Sequence, residues 1–92
     1  MLYEWDEQKR AANKARHRVD FLVVVDFDWD NALVAPDDRR DYGEERFVSI
    51  GPINGRLHVL IFTRRDATVR VISLRKANKR EVKQYEKTQT NQ

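Results

Sequence analysis

Arg64, Arg70, Arg75 and Lys76 carry the clearest chemistry in this sequence. In Thr68-Val69-Arg70-Val71-Ile72-Ser73-Leu74-Arg75, strand alternation puts Thr68, Arg70 and Ile72 on one face and Val69, Val71 and Ser73 on the other. With the valines turned toward a core, Arg70 points away from it. Antiparallel pairing through a turn at Arg65-Asp66-Ala67 brings Thr63 and Arg64 near Thr68 to Arg70. Arg75, Lys76, Lys79, Arg80 and Lys83 extend the cationic run. Guanidinium groups on rigid strands bind phosphate bidentately, keep their charge, and can stabilise charge that develops on a phosphorane-like transition state. The same pattern also describes a sheet face merely solvated by arginines, and the pattern alone leaves both readings open.

Other chemistries have little to stand on. There is no cysteine, and the two histidines, His17 and His58, lie far apart in sequence. No His/Asp/Glu pair has metal-ligand spacing and no glycine-rich phosphate loop follows a strand. Neither a metal nor a cofactor is therefore expected. Tyr3, Trp5, Tyr42, Phe62 and Tyr85 interleave with the charges and are able to stack on unpaired bases. Trp5 and Phe62 suit a core equally well, whereas Tyr42, in a glycine-containing acidic loop, is more open to a polar role. His17 ends a helical stretch, where a cation suits the helix dipole.

The elements must position these groups within 92 residues, room for one domain spanning 1–92. No apolar run approaches the roughly 20 residues of a membrane span. The acidic start, Glu4-Trp5-Asp6, lacks the pattern of a signal peptide, which sets the expectation of a cytoplasmic protein. The net charge of +3 hides its distribution. Residues 20–46 carry net −6 and residues 64–92 net +6. Folding either presents the basic third to a polyanion or neutralises it against the acidic middle.

Asp6 caps a helix predicted over about 6–17, with a thin apolar stripe of Trp5, Ala12, Ala15 and Val19. Residues 19–30 alternate as a strand locally, although Asp20 is also placed to cap a short buried helix. Residues 31–35 form a short strand that Pro36 stops, and 37–45 a polar loop. Residues 47–50, 57–62 and 68–74 are strands of a three-stranded antiparallel meander, with Asn54-Gly55 suited to a tight hairpin. Asn78 and Glu81 resemble a capping box at the start of a last helix. A polar, frayed tail is expected over 88–92.

Taken in order, several blocks of the chain resemble the BrnT-type ribonuclease toxins. They are Tyr3-Glu4-Trp5-Asp6 with Lys9, Asn13 and His17; Phe27-Asp28-Trp29-Asp30 with Ala32-Leu33-Val34; and Asp41-Tyr42-Gly43-Glu44-Glu45-Arg46 before Ile50-Gly51. Gly55-Arg56-Leu57 through Phe62-Thr63 and Arg70 through Ala77, with Glu81 and Tyr85, complete the match. Two features depart from the family. Arg18 stands where a glycine usually ends the first helix, and the 64–67 loop is short.

The resemblance implies an α+β, RelE-like fold: two N-terminal helices, the second over 20–28, an antiparallel sheet of about four strands, and a C-terminal helix. It also implies a toxin that cleaves RNA and is neutralised by a ribbon-helix-helix antitoxin, with operator DNA contacted only through that antitoxin. On that reading Arg64, Arg70 and Arg75, assisted by Lys76, hold the scissile phosphate. The general base is sought among Glu44, Glu45, Tyr42 and His17, and the flanking RNA contacts among Thr63, Arg46, Lys79 and Arg80. RNA supplies its own 2′-hydroxyl nucleophile, so no metal is required. The alternative is a non-catalytic basic module that binds an antitoxin or nucleic acid.

Overall fold

In the computed structural model, which describes residues 1–90, one mixed sheet of five strands forms the centre of the molecule. The strands are β1 (Leu2–Glu4), β2 (Leu33–Pro36), β3 (Phe47–Ile53), β4 (Arg56–Arg65) and β5 (Thr68–Lys76), in spatial order β1-β5-β4-β3-β2. Helix α1 spans Glu7–His17 and α2 spans Lys79–Thr90. The expected meander is present as β3-β4-β5. Asn54 and Gly55 both take positive φ, 49° and 83°, as a two-residue hairpin turn demands.

The sheet has one strand more than expected and is not purely antiparallel. The additional strand, β1, pairs in parallel with the start of β5 through Leu2↔Thr68, Tyr3↔Val69 and Glu4↔Arg70. With only three residues it carries too short a pattern to be read locally.

The expected second N-terminal helix is a 3-10 helix over Phe21–Asp26, which also overturns the local strand reading of this segment. Asp20 caps it by accepting the Leu22 N–H at 3.0 Å. Its three residues per turn stack Phe21 over Val24 facing inward, both fully buried, and leave Leu22 and Val25 outward and exposed. A strand would have buried Phe21, Val23 and Val25 together. Phe27 continues the inner row and joins Val19, Ile53, Leu60, Phe62, Val69, Val71 and Leu74 in the core.

Helix α1 is capped by Asp6 as expected, but Ala12 and Ala15 are exposed and do not hold it down. The anchor is Asn13, which lies buried against the free edge of β5. Its amide donates to the carbonyls of Leu74 at 2.7 Å and Val19 at 3.0 Å, and its oxygen accepts the Leu74 N–H at 3.2 Å. Asn13 thus stands in for a neighbouring strand where β1 has ended. Beyond α1, Arg18 takes φ 59°, the left-handed cap that a glycine adopts freely.

The capping box of α2 is complete: Asn78 Oδ1 accepts the Glu81 N–H at 2.8 Å and Glu81 Oε1 accepts the Asn78 N–H at 2.9 Å. Residues 88–90, expected in a frayed tail, continue this helix, while 91–92 lie outside the described residues. No described side chain of α2 is buried. The helix is tied back by the Tyr85 hydroxyl, which donates to the Asn31 carbonyl at 2.6 Å, and by an ion pair from Glu81.

Candidate functional site

Register decides which cations share a face. Leu60↔Leu74 and Ile61↔Ser73 are followed by Phe62↔Val71, so Ile72 is an extra residue opposite the Ile61/Phe62 step. This bulge changes the phase of β5. Val69 and Val71 point to the core before it and Leu74 after it, and Ser73 turns to the opposite side from the valines, contrary to simple alternation. Arg70 and Arg75 are five residues apart and would lie on opposite faces of a regular strand. The bulge puts both on the face away from the core, beside Thr63 and Val59, their respective partners on β4. At about 3.3 Å per residue their Cα atoms are roughly 15 Å apart, too far for the pair to grip a single phosphate.

Arg64 does not join them. It pairs with Val69, and so belongs to the core-side face, where its guanidinium lies 5.8 Å from the Phe47 ring centroid. Lys76 pairs with His58 and also lies on that side. The expected grouping of Arg64, Arg70 and Arg75 is therefore divided between two faces.

Arg75 is held at two points. Its two terminal nitrogens meet the two Glu81 carboxylate oxygens, each at 2.8 Å. This fork holds the Arg75 guanidinium firmly charged and pulls the Glu81 carboxyl below its usual range, with the Asn78 N–H adding to the effect. His17 approaches the same end of β5. It is one helical turn beyond Asn13, on the same face of α1, and Asn13 is bonded to Leu74. Burial lowers the His17 pKa, and the positive charges of Arg16 and Arg75 lower it further. His17 is consequently a neutral imidazole at pH 7, able to accept a proton.

Arg70 is half-buried and reaches Glu4 of β1 at 3.4 Å. Its partner Thr63 is buried and donates its hydroxyl to the Glu45 carbonyl at 2.7 Å. That bond ties the 37–46 loop to the open face. Within the loop, Glu44 stands 3.5 Å from Arg46 Nε without hydrogen-bond alignment, and that buried nitrogen has no hydrogen-bond partner among the described residues. The Arg46 guanidinium lies 4.1 Å from the Tyr42 ring centroid, and the Tyr42 hydroxyl faces Asp37 at 3.5 Å. Lys79 and Arg80 are exposed on α2; Lys79 lines an open groove beside the hairpin with Arg56 and Lys83. Among the described residues no three His, Asp or Glu side chains gather as a metal-binding group.

Sequence reasoning missed two participants. Asp37, read as one acid in a polar loop, has a side chain only 1% exposed and takes a two-pronged contact from Arg39 at 2.7 and 2.9 Å. The signal was an acid and an arginine two residues apart, which a turn brings together. Glu81 was read as a cap alone, and its second role follows only once β5 and α2 meet.

The molecule is thus a small α+β domain with an arginine-bearing sheet face left open beside a helix and a loop, the kind of surface that suits an anionic polymer. Residues 5–81 match the model of a family described as the ribonuclease toxin BrnT of type II toxin-antitoxin systems, and the chain belongs to that family. A comparison with curated proteins finds no match.

Proposed function

We propose that this domain is a metal-independent endoribonuclease with a RelE-like scaffold, whose centre lies at the end of β5 between Arg75 and His17. The observation that carries the reading is that Arg75 and His17 converge on the same end of β5, Arg75 held there by two 2.8 Å bonds to Glu81 and His17 one helical turn from Asn13, which is bonded to Leu74. His17 takes the proton of a ribose 2′-hydroxyl, and the 2′-oxygen attacks the adjacent phosphorus. Arg75 binds the phosphate and offsets its added charge. The 5′-oxygen leaves and gains a proton from water, giving a 2′,3′-cyclic phosphate and a 5′-hydroxyl. Arg70 and Thr63 hold the strand further along, and Lys79 and Arg80 extend the basic track. The acid partners of Arg70 and Arg75, Glu4 and Glu81, exchange places with phosphates when RNA binds.

The test is cleavage of single-stranded RNA by purified protein. His17→Asn and Arg75→Ala each lose about 100-fold or more in rate, the range of a general base or an anion-stabilising donor. Cleavage that persists in both variants removes the assignment. A second reading, a non-catalytic module, draws support from the ion pairs that occupy Arg70 and Arg75. It requires that cellular RNA remain intact, and growth continue, when the chain is expressed alone. In the toxin reading the natural restraint is a ribbon-helix-helix antitoxin, through which any operator DNA is contacted.

A further inference from the structure

The loop between β2 and β3 holds more organised cations than the proposed centre uses. The Asp37 N–H donates to the Arg46 carbonyl at 2.7 Å and closes the loop. Asp41 accepts the Gly43 N–H at 2.9 Å, and Gly43 takes φ 72°. The buried Asp37 carboxylate fixes Arg39 through its Nε and one terminal nitrogen, and the Arg39 side chain is nevertheless 69% exposed. Its outer N–H groups remain available to an anion. Arg40 is exposed, makes no ion pair among the described residues, and lies 5.2 Å from the Tyr42 ring centroid. Tyr42 is half-buried, its ring centroid 4.1 Å from the largely buried Arg46 guanidinium. The bond from Thr63 to Glu45 anchors this loop beside Arg70 on the open face.

We infer that the 37–46 loop is a second RNA subsite, in which Tyr42 stacks on an unpaired base and Arg39 and Arg40 take the neighbouring phosphates. Resting on the ribonuclease reading, it names single-stranded RNA as the substrate form. An aromatic ring beside donors-only guanidinium groups matches a base face flanked by phosphate oxygens, and base–aromatic stacking tolerates any sequence. The Thr63 hydroxyl bond to Glu45 keeps the loop beside Arg70, which holds the same strand of RNA in that reading. In this role the Tyr42 hydroxyl orients the ring against Asp37 and is not offered to the substrate as a base.

The experiment measures binding of a labelled single-stranded 2′-O-methyl RNA, which lacks the nucleophile, to the full chain. Tyr42→Leu weakens binding about 5- to 100-fold, the range of one lost base stack, and Tyr42→Trp restores it. Arg39→Ala lowers the steepness of the salt dependence by about 0.7, the loss of one phosphate contact to a single strand. Unchanged binding by Tyr42→Leu overturns the subsite, even if natural RNA is cleaved normally. A chain that cleaves no RNA, yet binds the analogue in a Tyr42-dependent way, keeps the subsite and loses the ribonuclease reading. A weakening that Tyr42→Trp fails to restore, with an unaltered circular dichroism spectrum, also overturns stacking.

Discussion

Replacing Asn13 by alanine tests how the first helix is fastened to the sheet. The substitution deletes three hydrogen bonds and strands the N–H and carbonyl of Leu74 and the carbonyl of Val19. Asn13 is buried and Leu74 fully so, which limits access of water to the orphaned groups. At about 1–1.5 kcal/mol for each bond, the loss is about 3–4.5 kcal/mol. Against the roughly 5–15 kcal/mol that stabilises a domain of this size, that is a large share. Urea unfolding should show the midpoint falling with an unchanged slope. Asn13→Asp fares no better, because a carboxylate accepts the Leu74 N–H but cannot donate to either carbonyl. A loss below about 1 kcal/mol for Asn13→Ala would refute the argument that this side chain substitutes for an edge strand. Since Asn13 and His17 share one face of α1, the same variant should also depress RNA cleavage more than the fraction of folded protein explains.

Three further outcomes follow from the same geometry. Arg18→Gly should stabilise the fold by about 0.5–1 kcal/mol in urea unfolding, because the cap sits at φ 59°. Gly51→Ala should cost about 1–3 kcal/mol by the same assay, since an added Cβ would come within 2.8 Å of Phe27 and 2.9 Å of Ala32 in the core. On acidification, buried His58 and partly buried His17 resist protonation in the folded state while the unfolded chain takes up protons near 6.5. Stability should therefore fall as pH drops below about 6.5. A second decline comes between about pH 3.8 and 2, where the unfolded chain protonates Asp20 while Arg10 keeps it charged in the fold. Flat stability between pH 7 and 5 in unfolding titrations would contradict the histidine contribution.

What the sequence disclosed and what it withheld have physical reasons. The hairpin at Asn54-Gly55 and the Asn78/Glu81 cap depend on residues within three or four positions of each other, so local chemistry announces them. The Phe21–Asp26 segment has the same hydrophobic residues a strand would use, and only its three-residue period, visible as buried Phe21 and Val24 against exposed Val25, tells them apart. That Arg70 and Arg75 share a face is not legible in the sequence, because the bulge at Ile72 that brings it about depends on pairing with β4. Arg64 was grouped with them by proximity across the turn, which fixes distance along the strands and not the face. The anchoring role of Asn13 needed knowledge of which part of β5 lacks a strand neighbour, and its partner there, Leu74, is 61 positions away along the chain.

The most direct test of the central claim is the chemistry of the RNA ends left by purified protein, with Arg75→Ala as its companion. Wild-type protein should leave 2′,3′-cyclic phosphate and 5′-hydroxyl termini, in a reaction whose rate rises with pH and levels off below about 6.5 as His17 loses its proton, and the variant should give almost no product. Uncleaved RNA, 3′-hydroxyl and 5′-phosphate ends, or undiminished cleavage by Arg75→Ala would contradict it.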